Sequence, residues 1–385
     1  MRLPCSSLRL ALASCLVAFA AAAHAQGPLP AGCQEVDAPP SLWLVCVPSN
    51  WNGHLIVFAH GYVAPDDAAG PRGYYSQLLL ADGTSIPDLV QSLGFAFASS
   101  SFPRNGLAIL EGTADLQQLV DSFWAGVGGA QPRGRTYVAG ASEGGLVAAL
   151  LAERRPDMFA GALAACGPIG SFQFQLNYIG DFRVLFDYFF GGRIPNWPKW
   201  RPGQPEVPQF LIDTWPAYEV AIVNALAARP DLALQLMRTS RAPWDPADAA
   251  TIAQTTLGLL WYHVFGTNDS VTQLGGIAFD NTPRWYSGSA SDLLLNLRVA
   301  RFDAPAAVRE TVRAYDASGL LRIPFVTLHT TKDEIAPYAH ELLYAVKARP
   351  TGRGAFLPLP VFRYGHCNFT AAEVLTGLGL LLIQP

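Results

Sequence analysis

The sequence predicts an α/β fold: a mostly parallel, twisted sheet flanked by helices and interrupted by one large, mainly helical insertion. Three observations predict it. Over residues 26–170 and again over 320–385, continuous apolar runs of strand length alternate with stretches of helical periodicity. One such run, entering at Arg135, turns within a few residues into an Ala/Leu-rich helix that continues to Arg154. From about Ser171 to Gly319 the strand signals give way to an aromatic-rich segment, too long to be a structureless loop in a compact domain.

The chain opens with Arg2, Arg9, an apolar stretch from Leu10, and Ala23-His24-Ala25. This reads as a secretory signal peptide over residues 1–25 with an A-x-A cleavage site, and predicts a secreted or periplasmic protein. A rival reading takes Leu12-Ala13-Ser14-Cys15 as a lipoprotein processing box, but cleavage there would cut the apolar region in its middle. Without the signal the chain keeps 24 basic against 30 acidic side chains, a net charge of −6, and lysine occurs only at 199, 332 and 347. No basic stripe points to nucleic acid. No other apolar run reaches the ~18 residues of a membrane span. Assembly state is not legible.

Four cysteines follow the signal: Cys33, Cys46, Cys166 and Cys367. An even number in an exported chain allows disulfides, with three possible pairings. Cys33 and Cys46 flank a hairpin signal at Leu42-Trp-Leu-Val-Cys-Val and are expected to pair, which leaves Cys166 with Cys367. There is no C-x-x-C and no H-E-x-x-H, so neither a metal site nor a cofactor is expected.

Leu55–Ala59 is apolar throughout, as a strand buried on both faces of a parallel sheet should be, and ends in His60-Gly61-Tyr62. His60 reads as a loop-holding residue and His54 as a surface one. Residues 70–92 read as helix with a break at Ala81-Asp-Gly-Thr, 94–102 as a buried strand, 116–127 as helix, 135–139 as strand and 159–166 as another buried strand. Between the last two strands lies Gly140-Ala141-Ser142-Glu143-Gly144, the G-x-S-x-G of a nucleophile elbow. A serine at the tip of a strand-to-helix turn needs small residues two before and two after it, so that strand and helix can pass closely. Its hydroxyl then sits at a helix N-terminus, where backbone N–H groups favour developing negative charge.

The insertion, 171–319, carries Tyr178, Phe182, Phe186, Tyr188, Phe189, Phe190, Trp197, Trp200, Trp215, Trp244, Trp261, Tyr262 and Trp285. It is expected to be a helical cap over the serine, with helices at 208–227 and 247–265. Most of these aromatics are expected in the cap's own core and a minority in a pocket for a bulky apolar or aromatic group. The sheet resumes at 323–329, and Asp333 follows a strand's carboxyl end in a turn, the place for the acid that orients a catalytic histidine. Glu334 is the fallback. His329 on the strand and His340 on the next helix read as structural. A last strand at 356–364 leads to Gly365-His366-Cys367 and a C-terminal helix ending near Leu382. His366, in a short loop after that strand, is placed as general base.

Elbow, acid and histidine in this order resemble the α/β-hydrolases, and the resemblance covers the chain after the signal apart from the insertion. It implies Ser142, Asp333 and His366 as a triad. It also implies an oxyanion hole from the backbone N–H of Tyr62, after His60-Gly61, and of Glu143, after the nucleophile. Gly140-Ala-Ser-Glu-Gly-Gly145 with a capped core is similar to secreted serine peptidases of that fold. His366-Cys367 resembles tannases and feruloyl esterases, in which the cysteine after the histidine bonds one beside the serine. Ala141 precedes Ser142 here, so that bond is excluded, while Cys166 on the neighbouring strand is in place to supply an equivalent tether. The resemblance implies a carboxylic-ester hydrolase acting on small or polymeric esters. An exopeptidase or amidase would need a charged anchor for a substrate terminus, for which Asp181, Asp187 and Glu219 are candidates. A non-catalytic homologue is argued against by the complete set of parts.

Overall fold

The computed structural model describes residues 29–30, 32–127 and 134–383. The signal-peptide and lipoprotein readings fall outside the described residues. Among the described residues ten strands form: β1 (Cys33–Ala38), β2 (Ser41–Cys46), β3 (Leu55–Ala59), β4 (Ala96–Ser100), β5 (Thr136–Ala141), β6 (Gly161–Ala165), β7 (Leu320–Leu321), β8 (Pro324–Lys332), β9 (Arg349–Pro350) and β10 (Ala355–Tyr364). Eight of them make one sheet in the order β1-β2-β4-β3-β5-β6-β8-β10, and β7 pairs with β9 separately. β1 pairs antiparallel with β2, and β2 with β4. Every other neighbour in the sheet is parallel.

Burial follows the composition. Every residue of β3, β4 and β6 is buried, as expected for strands covered by helices on both faces. Helices Ile86–Ser92, Ile109–Ser122, Glu143–Arg154, Ala339–Lys347 and Ala371–Leu382 alternate with the strands. The second begins at Ile109, earlier than the apolar spacing from Leu116 suggests. Gly112, Thr113 and Asp115 are weak helix formers, but all three are buried. The Asp115 carboxylate accepts the Ser41 hydroxyl at 2.8 Å, and Gly112 lets the Phe102 ring lie where a Cβ would come within 2.9 Å of it. Tertiary contacts override propensity there.

The described residues up to Phe172 and from Tyr315 form one compact unit; Gln173–Ala314 form a second. No strand occurs among the described residues of the second unit, whose helices include Gln209–Asp213, Trp215–Ala228, Pro230–Ser240, Ala250–Leu274, Asp292–Arg298 and Ala306–Arg313. Helix Phe172–Phe189 enters it. The sequence reading missed this helix because aromatics alone do not set a helical period. The expected 208–227 helix is two, broken at Thr214, where Pro216 forbids continuation of the first. The core of this unit holds Phe182, Phe186, Phe190, Trp197 and Trp200, all buried. Arg183 and Asp187 form a buried ion pair at 3.0 Å, and Asp187 also accepts the Trp197 indole N–H at 2.6 Å. No single described helix is long and apolar enough to cross a membrane.

Candidate active site

The register of the sheet lines up the carboxyl ends that carry the site. Gly140 pairs with Ala59, Ala141 with Ala165, and Ala165 with Leu328. β5 ends at Ala141 and helix Glu143–Arg154 starts one residue after Ser142, whose φ of 56° and ψ of −122° are a strained combination for a non-glycine residue. The small flanking residues are compulsory. A Cβ on Gly140 would sit 2.0 Å from the Gly144 carbonyl oxygen, and one on Gly144 would sit 2.0 Å from the Ala59 carbonyl oxygen. The serine N–H donates to the Ala165 carbonyl at 2.9 Å, which fixes the turn against β6.

His366 Nε2 lies 2.8 Å from Ser142 Oγ, and its Nδ1 lies 2.8 and 2.9 Å from the two carboxylate oxygens of Asp333. The three side chains singled out in the sequence therefore meet in a line. With Nδ1–H donated to the acid, Nε2 carries the lone pair that faces the serine hydroxyl. Asp333 is fully buried and its Oδ1 also accepts the backbone N–H groups of Ile335 and Ala336, each at 2.9 Å. Burial opposes its charge, but His366 and His329 beside it outweigh burial and hold the carboxyl well below the usual range. Glu334, the fallback acid, is not the residue bonded to the His366 ring. Burial and the neighbouring Asp333 charge push its carboxyl up to about 7.

The His366 loop is tied down on several sides. Gly365 O accepts the Thr330 hydroxyl at 2.7 Å, and Gly365 N–H donates to Lys332 O at 3.3 Å. Downstream, Thr370 and Glu373 cap helix Ala371–Leu382 reciprocally, the Glu373 carboxylate accepting Thr370 N–H at 2.9 Å. Cys367 is disulfide-bonded to Cys166, the residue after β6, and Cys33 to Cys46, which face each other across the β1–β2 hairpin. Among the described residues the grouping compact enough to hold a metal is Cys166, His366 and Cys367. Its sulfurs are joined to each other, which leaves no thiolate ligand.

The turn after β3 runs beside the serine: a Cβ on Gly61 would stand 3.2 Å from Ser142 Cβ. Tyr62 is half-buried next to it. Glu143, on the other side, is buried, and its carboxylate accepts the Ala108 N–H at 2.9 Å. His60 does hold the turn. Burial drives it down to about 4, its Nδ1 donates to Gly61 O at 2.6 Å, and its ring stacks on Phe102. His54 is more than a surface residue, because its Nδ1 accepts the Arg135 N–H at 2.9 Å and joins the starts of β3 and β5. His329, which the sequence marks as a structural strand residue, lies behind Asp333 with its Nδ1 3.0 Å from Glu341; the two are twelve residues apart, and no local signal joins them.

The three candidate anchor acids are engaged inside the helical unit. Asp181 pairs with Arg284 at 2.6 Å and accepts the Tyr286 hydroxyl at 2.5 Å; burial pushes it up to about 7. Asp187 is held by Arg183 and Trp197, and Glu219 accepts the Trp215 indole N–H at 2.7 Å.

No family model matches the chain, and no curated protein matches it in sequence. Solved structures similar to it include alpha/beta hydrolase domain-containing protein 10 from mouse, at 12% identity over 91% of this chain and 97% of that one, TM-score 0.42. Est1E from Butyrivibrio proteoclasticus is 11% identical over 92% of this chain and 99% of its own, TM-score 0.37. Pyrococcus horikoshii acylaminoacyl peptidase is 12% identical over 91% of this chain and 40% of its longer one, TM-score 0.45. These likenesses are too distant to carry function. The strand order, with its antiparallel β2 and parallel remainder, and the serine at the β5 elbow give the sheet-bearing unit of this chain the α/β-hydrolase fold.

Proposed function

We propose that this chain is an exported serine hydrolase that cleaves carboxylic esters through an acyl-enzyme. The observation that carries the reading is the continuous line from Ser142 Oγ through His366 to the buried Asp333, each step at 2.8 Å. Ser142 attacks the ester carbonyl as His366 Nε2 takes its proton; Asp333 holds the ring and stabilises the imidazolium. The backbone N–H groups of Tyr62 and Glu143 donate to the oxyanion, at a helix N-terminus where the dipole adds to them. His366 returns the proton to the leaving alcohol, and a water activated by the same nitrogen releases the acid. The signal-peptide reading of 1–25 and the two disulfides support export to a secreted or periplasmic location.

The aromatic content of the insertion supports esters with a bulky apolar or aromatic group. Of the aromatics expected there, Tyr188, Trp244, Trp261 and Tyr262 are half-buried and Trp285 is exposed, whereas the rest belong to the helical unit's own core. A peptidase reading needs a charged anchor, and the internal partners of Asp181, Asp187 and Glu219 weigh against it. The test is turnover of para-nitrophenyl esters of graded size beside aminoacyl-para-nitroanilides, with Ser142→Ala as control. Ester turnover alone, lost in the variant, supports this reading; anilide cleavage moves it to the peptidase, and silence on both ends it.

A further inference from the structure

We propose that His329 is a positioning residue for the Asp333–His366 pair: an imidazolium clamped between Glu341 and Asp333 that fixes the acid and keeps it ionised while His366 works. This rests on the serine-hydrolase reading above. His329 is buried on β8, and both of its ring nitrogens face oxygen acceptors. Nδ1 lies 3.0 Å from Glu341 Oε1, and Nε2 lies 2.8 Å from Ala336 O and 3.4 Å from Asp333 Oδ2. A neutral imidazole has one proton and would turn a lone pair on a carboxylate or a carbonyl; the imidazolium has a proton for each side.

The geometry couples that ring to the acid twice. Ala336 donates its N–H to Asp333 Oδ1 at 2.9 Å while its carbonyl accepts from His329, so the turn that orients Asp333 is pinned from both ends of one residue. The ring also forms an ion pair with Asp333 directly. Behind it, Glu341 Oε2 accepts the Thr327 hydroxyl at 2.6 Å, so Glu341 is itself held.

The charge balance asks for a cation there. Asp333 and Glu341 are both buried, and two buried carboxylates without a counter-charge would compete to keep a proton. A protonated Asp333 would no longer be the acceptor that His366 needs. The other groups facing His329 do not supply the charge. Burial, then the His329 charge, push His340 down to about 3, and its Nδ1 accepts the Gly170 N–H at 3.2 Å. Glu334 is an acid, the Tyr338 ring stands perpendicular to His329 with centroids 5.7 Å apart, and His366 is bonded through Nδ1 to the Asp333 carboxylate. Burial works against a charge on His329, but the bonds to Asp333 and Glu341 outweigh it and raise the ring to about 10.

Two measurements on the full mature protein test this. In ¹⁵N-histidine NMR, the signals lost in His329→Gln should be those of a doubly protonated ring and should persist to about pH 9, below the value of about 10. A singly protonated ring, or one titrating near the ordinary ~6.5, overturns the proposal. In ester turnover, His329→Gln should lower kcat roughly 10- to 100-fold with KM changed less than about threefold. The acid limb of kcat/KM should move to higher pH, because loss of the nearby cation favours protonation of His366. Removing the ring also takes the counter-charge from Glu341, which keeps only the Thr327 hydroxyl, so a His329→Gln/Glu341→Gln double variant separates folding from positioning. It should recover thermal stability but not kcat; full recovery of kcat assigns His329 a merely structural role. If the wild type turns over no ester, the hydrolase reading fails while the NMR arm still decides the charge. Wild-type turnover with an unchanged kcat in His329→Gln overturns this inference alone.

Discussion

His366 Nδ1 sits almost equidistant from the two carboxylate oxygens of Asp333, at 2.9 and 2.8 Å, with Asp333 wholly excluded from solvent. A buried acid with two acceptors on one N–H fixes the tautomer that leaves Nε2 free to take a proton. Asp333→Asn keeps the shape but removes the charge and replaces one of the two acceptor oxygens with an NH2 donor. It should lower kcat on the order of 10³- to 10⁴-fold, with a small change in KM, in steady-state ester assays. Glu334→Gln should cost far less than Asp333→Asn; equal losses would mean that the acids had been assigned the wrong way round.

The elbow makes a steric prediction. Gly144→Ala places a methyl 2.0 Å from a backbone oxygen of Ala59, with no side chain to give way, and should yield insoluble protein or a large loss of Tm. Gly379→Ala is the opposite case: exposed within helix Ala371–Leu382, with open space around its Cβ, it should gain up to ~1 kcal/mol. Differential scanning calorimetry of the two variants reads both effects.

The two disulfides should separate by function. Cys33–Cys46 joins neighbouring positions of a hairpin, whereas Cys166–Cys367 spans a sequence separation of 201 and ends beside His366. Replacing both members of either pair by serine should lower stability, by about 2–5 kcal/mol for the long one. Only the Cys166/Cys367 variant should also lose kcat, because its loop carries His366, the base of the proposed mechanism. Equal kcat in the two variants would remove the tether from the account.

The buried histidine and aspartate set a pH window for stability. Asp333 is held below its usual range, so its contribution is present above the unfolded value of ~3.9 and is lost as pH falls. His329 is raised to about 10, so its contribution is complete below ~6.5 and is lost as pH climbs from there toward about 10. Thermal unfolding followed from pH 4 to 10 should show Tm declining through the alkaline half, and the His329/Glu341 double variant should show a flatter alkaline limb.

Much of this architecture is written locally. The buried strands are short apolar runs without alternation, and the elbow, the acid and the histidine each stand just past such a run, where small residues or turn formers fix them. Ser142, Asp333 and His366 could be named because each sits in a motif of a few residues. What stayed hidden depends on distance. The start of helix Ile109–Ser122 is set by burial of Gly112 and Asp115 against Phe102 and Ser41, which no local propensity contains. The His329–Glu341 contact joins a strand to the following helix, and no motif in the sequence links the two residues. His54 read as exposed because its partner is a backbone N–H of a residue 81 positions away.

The claim on which the rest depends is that Ser142 is the nucleophile. The direct measurement is reaction of the protein with a fluorophosphonate, followed by intact mass and peptide mapping. The account predicts one adduct, on the peptide carrying Ser142, abolished in Ser142→Ala and slowed sharply in His366→Ala. No adduct on folded wild-type protein, or undiminished labelling of the Ser142→Ala variant, would contradict it.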